Sequence, residues 1–111
     1  MPHCIIEHSS TIDDTVLLEH VYQGVVSSSL FEPDGSDIKL RTLSYTNFRI
    51  GTEKSEFIHV TLKILSGRTG IQKSKLSALV LDSLKSLTLS GISITVEVVD
   101  IDRDSYAKHV G

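Results

Sequence analysis

Glu56-Phe57-Ile58-His59-Val60-Thr61-Leu62-Lys63-Ile64-Leu65 (56–65) places Ile58, Val60, Leu62 and Ile64 at every second position. That period is the mark of a strand with one face against a core. Ser66-Gly67-Arg68-Thr69-Gly70 breaks the pattern. Leu76, Leu79, Val80, Leu84 and Leu87 then recur at helical spacing and predict a helix over about 71–88. Ser90-Gly91 turns into a last strand, 92–101, on which Ile92, Ile94, Val96 and Val98 alternate.

Working backward, the same plan recurs 56 residues earlier. His3 falls on His59, Cys4 on Val60, Ile6 on Leu62, Ile38 on Ile94 and Leu40 on Val96. The first half reads as a strand at 3–7, then turn and capping chemistry at Ser9, Ser10 and Thr11. Asp13 and Asp14 favour a helix start, and Leu17, Leu18, Val21 and Val25 predict a helix over about 13–30. A loop at Glu32-Pro33-Asp34-Gly35-Ser36, an extended stretch 38–48 and a Gly51-Thr52-Glu53-Lys54 turn follow. The polar tail from Asp102 to Gly111 reads as short helix or coil.

Matching core parity on four strands points to a duplicated β-α-β unit. Each unit pairs its strands in parallel through a right-handed crossover, so both helices cover one face of a four-stranded sheet. The fold class is therefore α+β, with residues 1–111 as a single domain. The other face carries Ile5, Leu43, Tyr45, Thr61, Thr95 and Val99, too apolar for open water. A face of that kind calls for partner subunits.

Composition narrows the function. The chain has 111 residues, 40% of them hydrophobic and 23% charged, values of an ordinary globular domain. A net charge of −3 argues against a nucleic-acid binder, and the lack of Trp against a base-stacking platform. No apolar run has the length of a membrane span, and residues 1–30 lack the pattern of a secretory signal. The one cysteine, Cys4, excludes an intramolecular disulfide, so a cytoplasmic location is expected.

Pro2 is the candidate reactive group. A small residue after the initiator lets an aminopeptidase remove Met1, which leaves a secondary amine at the start of a strand. Partial burial beside cations brings such an amine toward neutrality, where general-base catalysis works best. Three cations are candidates to hold an acidic substrate. Arg68 sits in a turn before a helix, where free N–H groups favour an anion. Lys39 and Arg41 lie two apart on one strand, facing away from core residues Ile38 and Leu40. The competing reading makes Arg68 a loop cap and the other two solvated charges.

Other clusters carry less. His3 and His59 lack metal-ligand spacing and are expected on the helix-free sheet face or at a subunit contact, while His8 and His20 read as surface or boundary residues. Cys4 has core parity and reads as a small buried hydrophobe. Ser27-Ser28-Ser29 has no nucleophile-elbow glycines, and Asp100, Asp102 and Asp104 lack the glycine and glutamate of a calcium loop.

Met1-Pro2-His3-Cys4-Ile5-Ile6-Glu7, together with Phe57-Ile58-His59-Val60-Thr61-Leu62-Lys63-Ile64-Leu65-Ser66-Gly67-Arg68, resembles the 5-carboxymethyl-2-hydroxymuconate delta-isomerases. These are the long-chain branch of the tautomerase superfamily, which also holds 4-oxalocrotonate tautomerase and macrophage migration inhibitory factor. The likeness covers nearly the whole chain. It implies a mixed sheet, a homotrimer with sheets facing a threefold axis, and no metal or organic cofactor. It also implies proton transfer along a conjugated dienol diacid from bacterial homoprotocatechuate breakdown, with Pro2 taking the 2-hydroxy proton and returning one to C5. By the same resemblance Arg68 falls on a substrate-binding arginine. Lys39 stands where the family has its other arginine, and Arg41 where it tends to carry a second basic residue. Thr42-Leu43-Ser44-Tyr45 lacks the histidine and tryptophan the family carries there, and the chain is shorter at its C-terminus. The alternatives are another activity of the superfamily, such as phenylpyruvate-type tautomerisation or dehalogenation, and a non-catalytic trimeric binding protein.

Overall fold

The computed structural model describes residues 1–53 and 55–111. In chain order the elements are β1 (His3–Ser9), α1 (Asp14–Ser27), β2 (Lys39–Tyr45), β3 (Glu56–Leu65), α2 (Gly70–Lys85) and β4 (Ile92–Ile101), followed by a 3-10 turn at Arg103–Ser105. Of the expected turn at 51–54, Lys54 lies outside the described residues. The sheet order is β2-β1-β3-β4. β1 and β2 are parallel, as are β3 and β4, and the two units meet through the antiparallel pair β1–β3.

The register carries the duplication. His3 stands beside Lys39 on β2, and His59 beside Thr95 on β4, each pair 56 residues from its counterpart. Across the central pair, His3 faces Lys63 and Glu7 faces His59. Exchanging each residue for the one 56 positions away maps that pairing onto itself. An approximate twofold axis therefore passes between Ile5 and Thr61, which face each other.

Cys4, Ile6, Ile58, Val60, Leu62 and Ile64 from the sheet pack against Leu17, Val21, Val25, Leu76, Val80 and Leu84 from the helices, all of them buried. Predicted Leu18, Leu79 and Leu87 sit at the core margin. Both helices stop short of their predicted ends. In α1 the hydroxyls of Ser27 and Ser28 donate to the carbonyls of Gly24 and Val25, and Ser29 adopts φ 60°. In α2, Ser86 donates to the Ser83 carbonyl and Thr88 adopts φ 53°. Such short hydroxyl side chains compete with the helical backbone and end it. β2 ends at Tyr45, short of the predicted 48.

The uncovered sheet face is more polar than its pattern suggested. Ile5, Tyr45, Thr61 and Val99 are half-buried there, and Leu43 is 51% exposed. Hydrogen bonds run between these residues and their neighbours. Tyr45 donates to Glu7 at 2.6 Å, and His59 lies 2.6 Å from the Thr95 hydroxyl and 2.5 Å from Glu97. The expected helix-free location of His3 and His59 holds. His8 departs from expectation: β1 extends to Ser9, so His8 continues the Cys4–Ile6 parity and is buried at 1% exposure. Its ring nitrogens meet two oxygen acceptors, the Ser9 carbonyl at 2.8 Å and Asp14 at 2.5 Å.

Candidate active site

Pro2 is buried where β1 begins, and its carbonyl accepts from the Lys39 amide at 3.0 Å. That bond continues the β1–β2 ladder one step beyond His3 and fixes the proline against β2. The Met1 amino group lies 2.8 Å from Asp37 Oδ2. The other carboxylate oxygen of Asp37 accepts from the Glu32 amide at 3.3 Å. Burial works against ionisation of Asp37, but the amino group's hydrogen bond and charge outweigh it and hold the carboxyl below its usual range.

Lys39 and Arg41 share the uncovered face with His3, as their spacing predicts. Lys63 joins them from β3, directly opposite His3. The His3 imidazole sits among these charges and its pKa is lowered, first by burial and then by Arg41, Lys39, the amino terminus and Lys63. A charged group drawn into this space would have to be an anion. Arg41 reaches back along the strand to donate through Nη1 to His3 Nδ1 at 3.2 Å. The opposite ring nitrogen of His3 lies 2.9 Å from the Tyr106 hydroxyl, with the rings at an edge-on 70°.

Arg68 lies at the same end of the sheet but on another wall. Its Nη2 donates to the Leu30 carbonyl at 2.6 Å, and its guanidinium stands 5.8 Å from the Phe31 ring. It thus ties the β3–α2 turn to the loop that also carries Glu32 and Asp37. The amides of that turn are partly used already: Thr69 caps α2 by accepting from the Gln72 amide, and the Gln72 side chain accepts from the Thr69 amide. Arg103 closes the turn from outside, donating to the Ser66 carbonyl at 2.5 Å.

The structure therefore sets Lys39 and Arg41 with His3 on the uncovered face, joins Pro2 to the Lys39 backbone, and places Arg68 against the loop at Leu30 and Phe31. Sequence reasoning missed Lys63, Asp37 and Tyr106. Lys63 had a signal, since it shares parity with His59 and Thr61, but its position opposite His3 depends on the antiparallel β1–β3 pairing. Asp37 is two residues before Lys39, so parallel pairing with β1 puts it beside Met1. Tyr106 had no signal, because the tail has no period to read.

Cys4 is fully buried next to this end, and desolvation pushes its thiol up to about 12 against the smaller pull of Arg41 and the amino terminus. Among the described residues no group of three or more His, Cys, Asp or Glu side chains is placed to hold a metal. Among the described residues no helix is long and apolar enough to cross a membrane. Two clefts lie elsewhere, one of about 340 Å³ between Ile12, Val16, Leu87 and Ile92, another of about 290 Å³ by Phe48, Arg49 and Phe57. They stand at the far end of β3 from Pro2 and hold none of the cations gathered there.

Comparison with known proteins agrees with this geometry. The sequence profile of the 5-carboxymethyl-2-hydroxymuconate isomerase family matches residues 2–110. No curated protein sequence matches the chain. Among solved structures, a 5-carboxymethyl-2-hydroxymuconate isomerase from Deinococcus radiodurans R1 superposes with a TM-score of 0.71 at 18% identity, covering 99% of this chain and 90% of that one. A fused 4-OT described as a symmetric trimer gives a TM-score of 0.80 at 18% identity, covering 98% and 93%. A macrophage migration inhibitory factor-like protein from Entamoeba histolytica gives 0.73 at 14% identity, covering 97% and 95%. At these identities the superpositions establish the fold, and the profile match along the chain establishes the family. The chain belongs to the 5-carboxymethyl-2-hydroxymuconate isomerase family and is an enzyme of the isomerase class.

Proposed function

We propose that this isomerase moves a proton along an unsaturated hydroxy- or oxo-acid bearing two or three carboxylates, of the 5-carboxymethyl-2-hydroxymuconate type, with Pro2 as general acid–base. The observation that carries the reading is the cationic field of Lys39, Arg41 and Lys63 around the amino end of β1. Removal of Met1 frees Pro2 as a secondary amine. The three cations disfavour its protonated form, and Asp37 opposes them. The neutral amine takes the 2-hydroxyl proton, C2–O becomes a carbonyl, and the electron pair shifts along the diene to C5. The Pro2 ammonium then returns the proton to C5, so the formula of the substrate is unchanged. Lys39, Arg41 and Arg68 hold the carboxylates, and neither metal nor organic cofactor takes part.

The functional unit we infer is a cytoplasmic homotrimer of the single domain 1–111, with the uncovered sheet faces turned inward. The half-buried Ile5, Tyr45 and Val99 and the exposed Leu43 on that face support it. Lys39 is a point charge without the bidentate fork of arginine, which favours a second reading: tautomerisation of a mono-acid on the same amine.

Ultraviolet turnover of 5-carboxymethyl-2-hydroxymuconate, with intact mass measured on the same sample, tests the proposal. The expected result is a mass lacking Met1 and a loss of about 100-fold or more in kcat for Pro2→Ala. Equal rates for wild type and Pro2→Ala refute the role of the proline. Faster turnover of phenylpyruvate than of the diacid moves the assignment to the mono-acid reading.

A further inference from the structure

Lys39 and Arg41 are both placed to hold a carboxylate, and the C-terminal tail contacts the neighbours of one of them. After β4 the chain turns at Arg103–Ser105, anchored by Arg103 on the Ser66 carbonyl and by the Ser66 amide on the Ile101 carbonyl. It then crosses the end of β3 to bring the Tyr106 hydroxyl within 2.9 Å of His3 Nε2. An arginine has only donors, so the contact from Arg41 requires His3 Nδ1 to be an acceptor. A neutral imidazole accepting at Nδ1 carries its proton on Nε2 and donates it to Tyr106. The three side chains therefore form one directed chain of hydrogen bonds, from Arg41 to His3 to Tyr106.

Its consequence is directional. Arg41 stands beside Ile5 in the strand register, one pleat beyond His3. The bond to His3 draws its guanidinium back toward the Pro2 end. The other N–H groups of that guanidinium have no partner among the described residues and are available to a carboxylate. The ammonium of Lys39 has no such support among the described residues. We propose that Tyr106 and His3 are positioning residues that aim the Arg41 guanidinium at the substrate, making Arg41 the fork for its carboxylate and Lys39 an auxiliary charge. This rests on the isomerase reading only for where the substrate lies, since carboxylate binding is measurable without turnover.

The test uses full-length protein and adipate, an unreactive dicarboxylate, by titration calorimetry, with nitrogen NMR of the His3 ring. Arg41→Gln should weaken adipate about tenfold or more, since a charge-assisted fork is lost. Lys39→Gln should weaken it by no more than about threefold. Tyr106→Phe keeps the ring and removes the hydroxyl. It should weaken adipate severalfold, raise KM with kcat little changed, and erode the Nε2–H tautomer of His3 expected in the wild type. Adipate binding unchanged in Tyr106→Phe, a larger loss in Lys39→Gln than in Arg41→Gln, or no binding by wild type each overturns the proposal. If Pro2→Ala turns over substrate like wild type while Arg41→Gln still loses adipate, the isomerase mechanism fails and the fork assignment stands.

Discussion

Gly24→Ala should destabilise the protein although it replaces a poor helix former with the best one. Gly24 lies in α1 against α2, and a Cβ built there would stand 2.9 Å from Val80 Cα and 3.2 Å from the Leu79 carbonyl oxygen. Both are backbone atoms and cannot swing aside. An ordinary carbon–carbon contact is about 3.5 Å or more, so the helices must separate by roughly 0.6 Å at this point. Separation there loosens the contact among Val21, Val25, Val80 and Leu84, all at 1% exposure or less. It also stretches the 2.7 Å bond from the Ser83 hydroxyl to the His20 carbonyl. Overpacking of this kind costs about 1–3 kcal/mol, against about 1 kcal/mol regained in helix propensity. The net expectation is a loss of up to about 2 kcal/mol. Urea unfolding at one fixed protein concentration measures it, so that the proposed assembly would weigh equally on both proteins. Gly70→Ala is the control, since no atom lies within 4 Å of its added Cβ. A midpoint for Gly24→Ala at or above wild type, with an unchanged slope, would falsify the close-approach argument.

Cys4, with its thiol pushed up to about 12, should resist a thiol reagent at pH 8 in the native protein and react promptly in urea; fast native labelling would contradict its burial. His3 has a lowered pKa in the fold, so the unfolded chain binds more protons in the window below 6.5, and acidification through that window costs stability. His3→Asn should flatten the dependence of the urea midpoint on pH between about 5 and 7, and an unchanged slope would remove His3 as its source. Thr69→Ala breaks the capping box of α2 and should cost about 1 kcal/mol, while Thr69→Ser should restore most of it; equal midpoints for all three proteins would show that the cap contributes nothing.

The duplicated β-α-β plan was legible because it needed only parity and period. Ile58, Val60, Leu62 and Ile64 mark one face of β3, and the 56-residue offset carries that parity to Cys4 and Ile6. Pairing direction between the two halves was not legible from patterning, because parity is the same whether β1 and β3 run together or opposed. Helix ends were misjudged by three residues, because apolar spacing through Leu30 and Leu87 continues past the serines that stop each helix. His8 was misplaced for a related reason. Its side chain looks polar, yet the strand continues under it and the oxygens of Ser9 and Asp14 compensate its burial.

The site divides along the same line. Lys39 and Arg41 could be placed on one face from their spacing, because a strand repeats every two residues. What each does there depends on groups that are remote in sequence. Lys63 reaches His3 across an antiparallel pair, and Tyr106 reaches it from 103 residues away. Neither approach leaves a local trace. The pattern at 39–41 therefore shows two cations of equal standing, and the fold makes them unequal. One is left free beside His3, and the other is held by a histidine whose second nitrogen is occupied by the tail. A substitution in that tail should therefore alter carboxylate recognition without touching Pro2. This asymmetry is open to direct measurement, because Tyr106→Phe and Lys39→Gln change the same site from opposite sides.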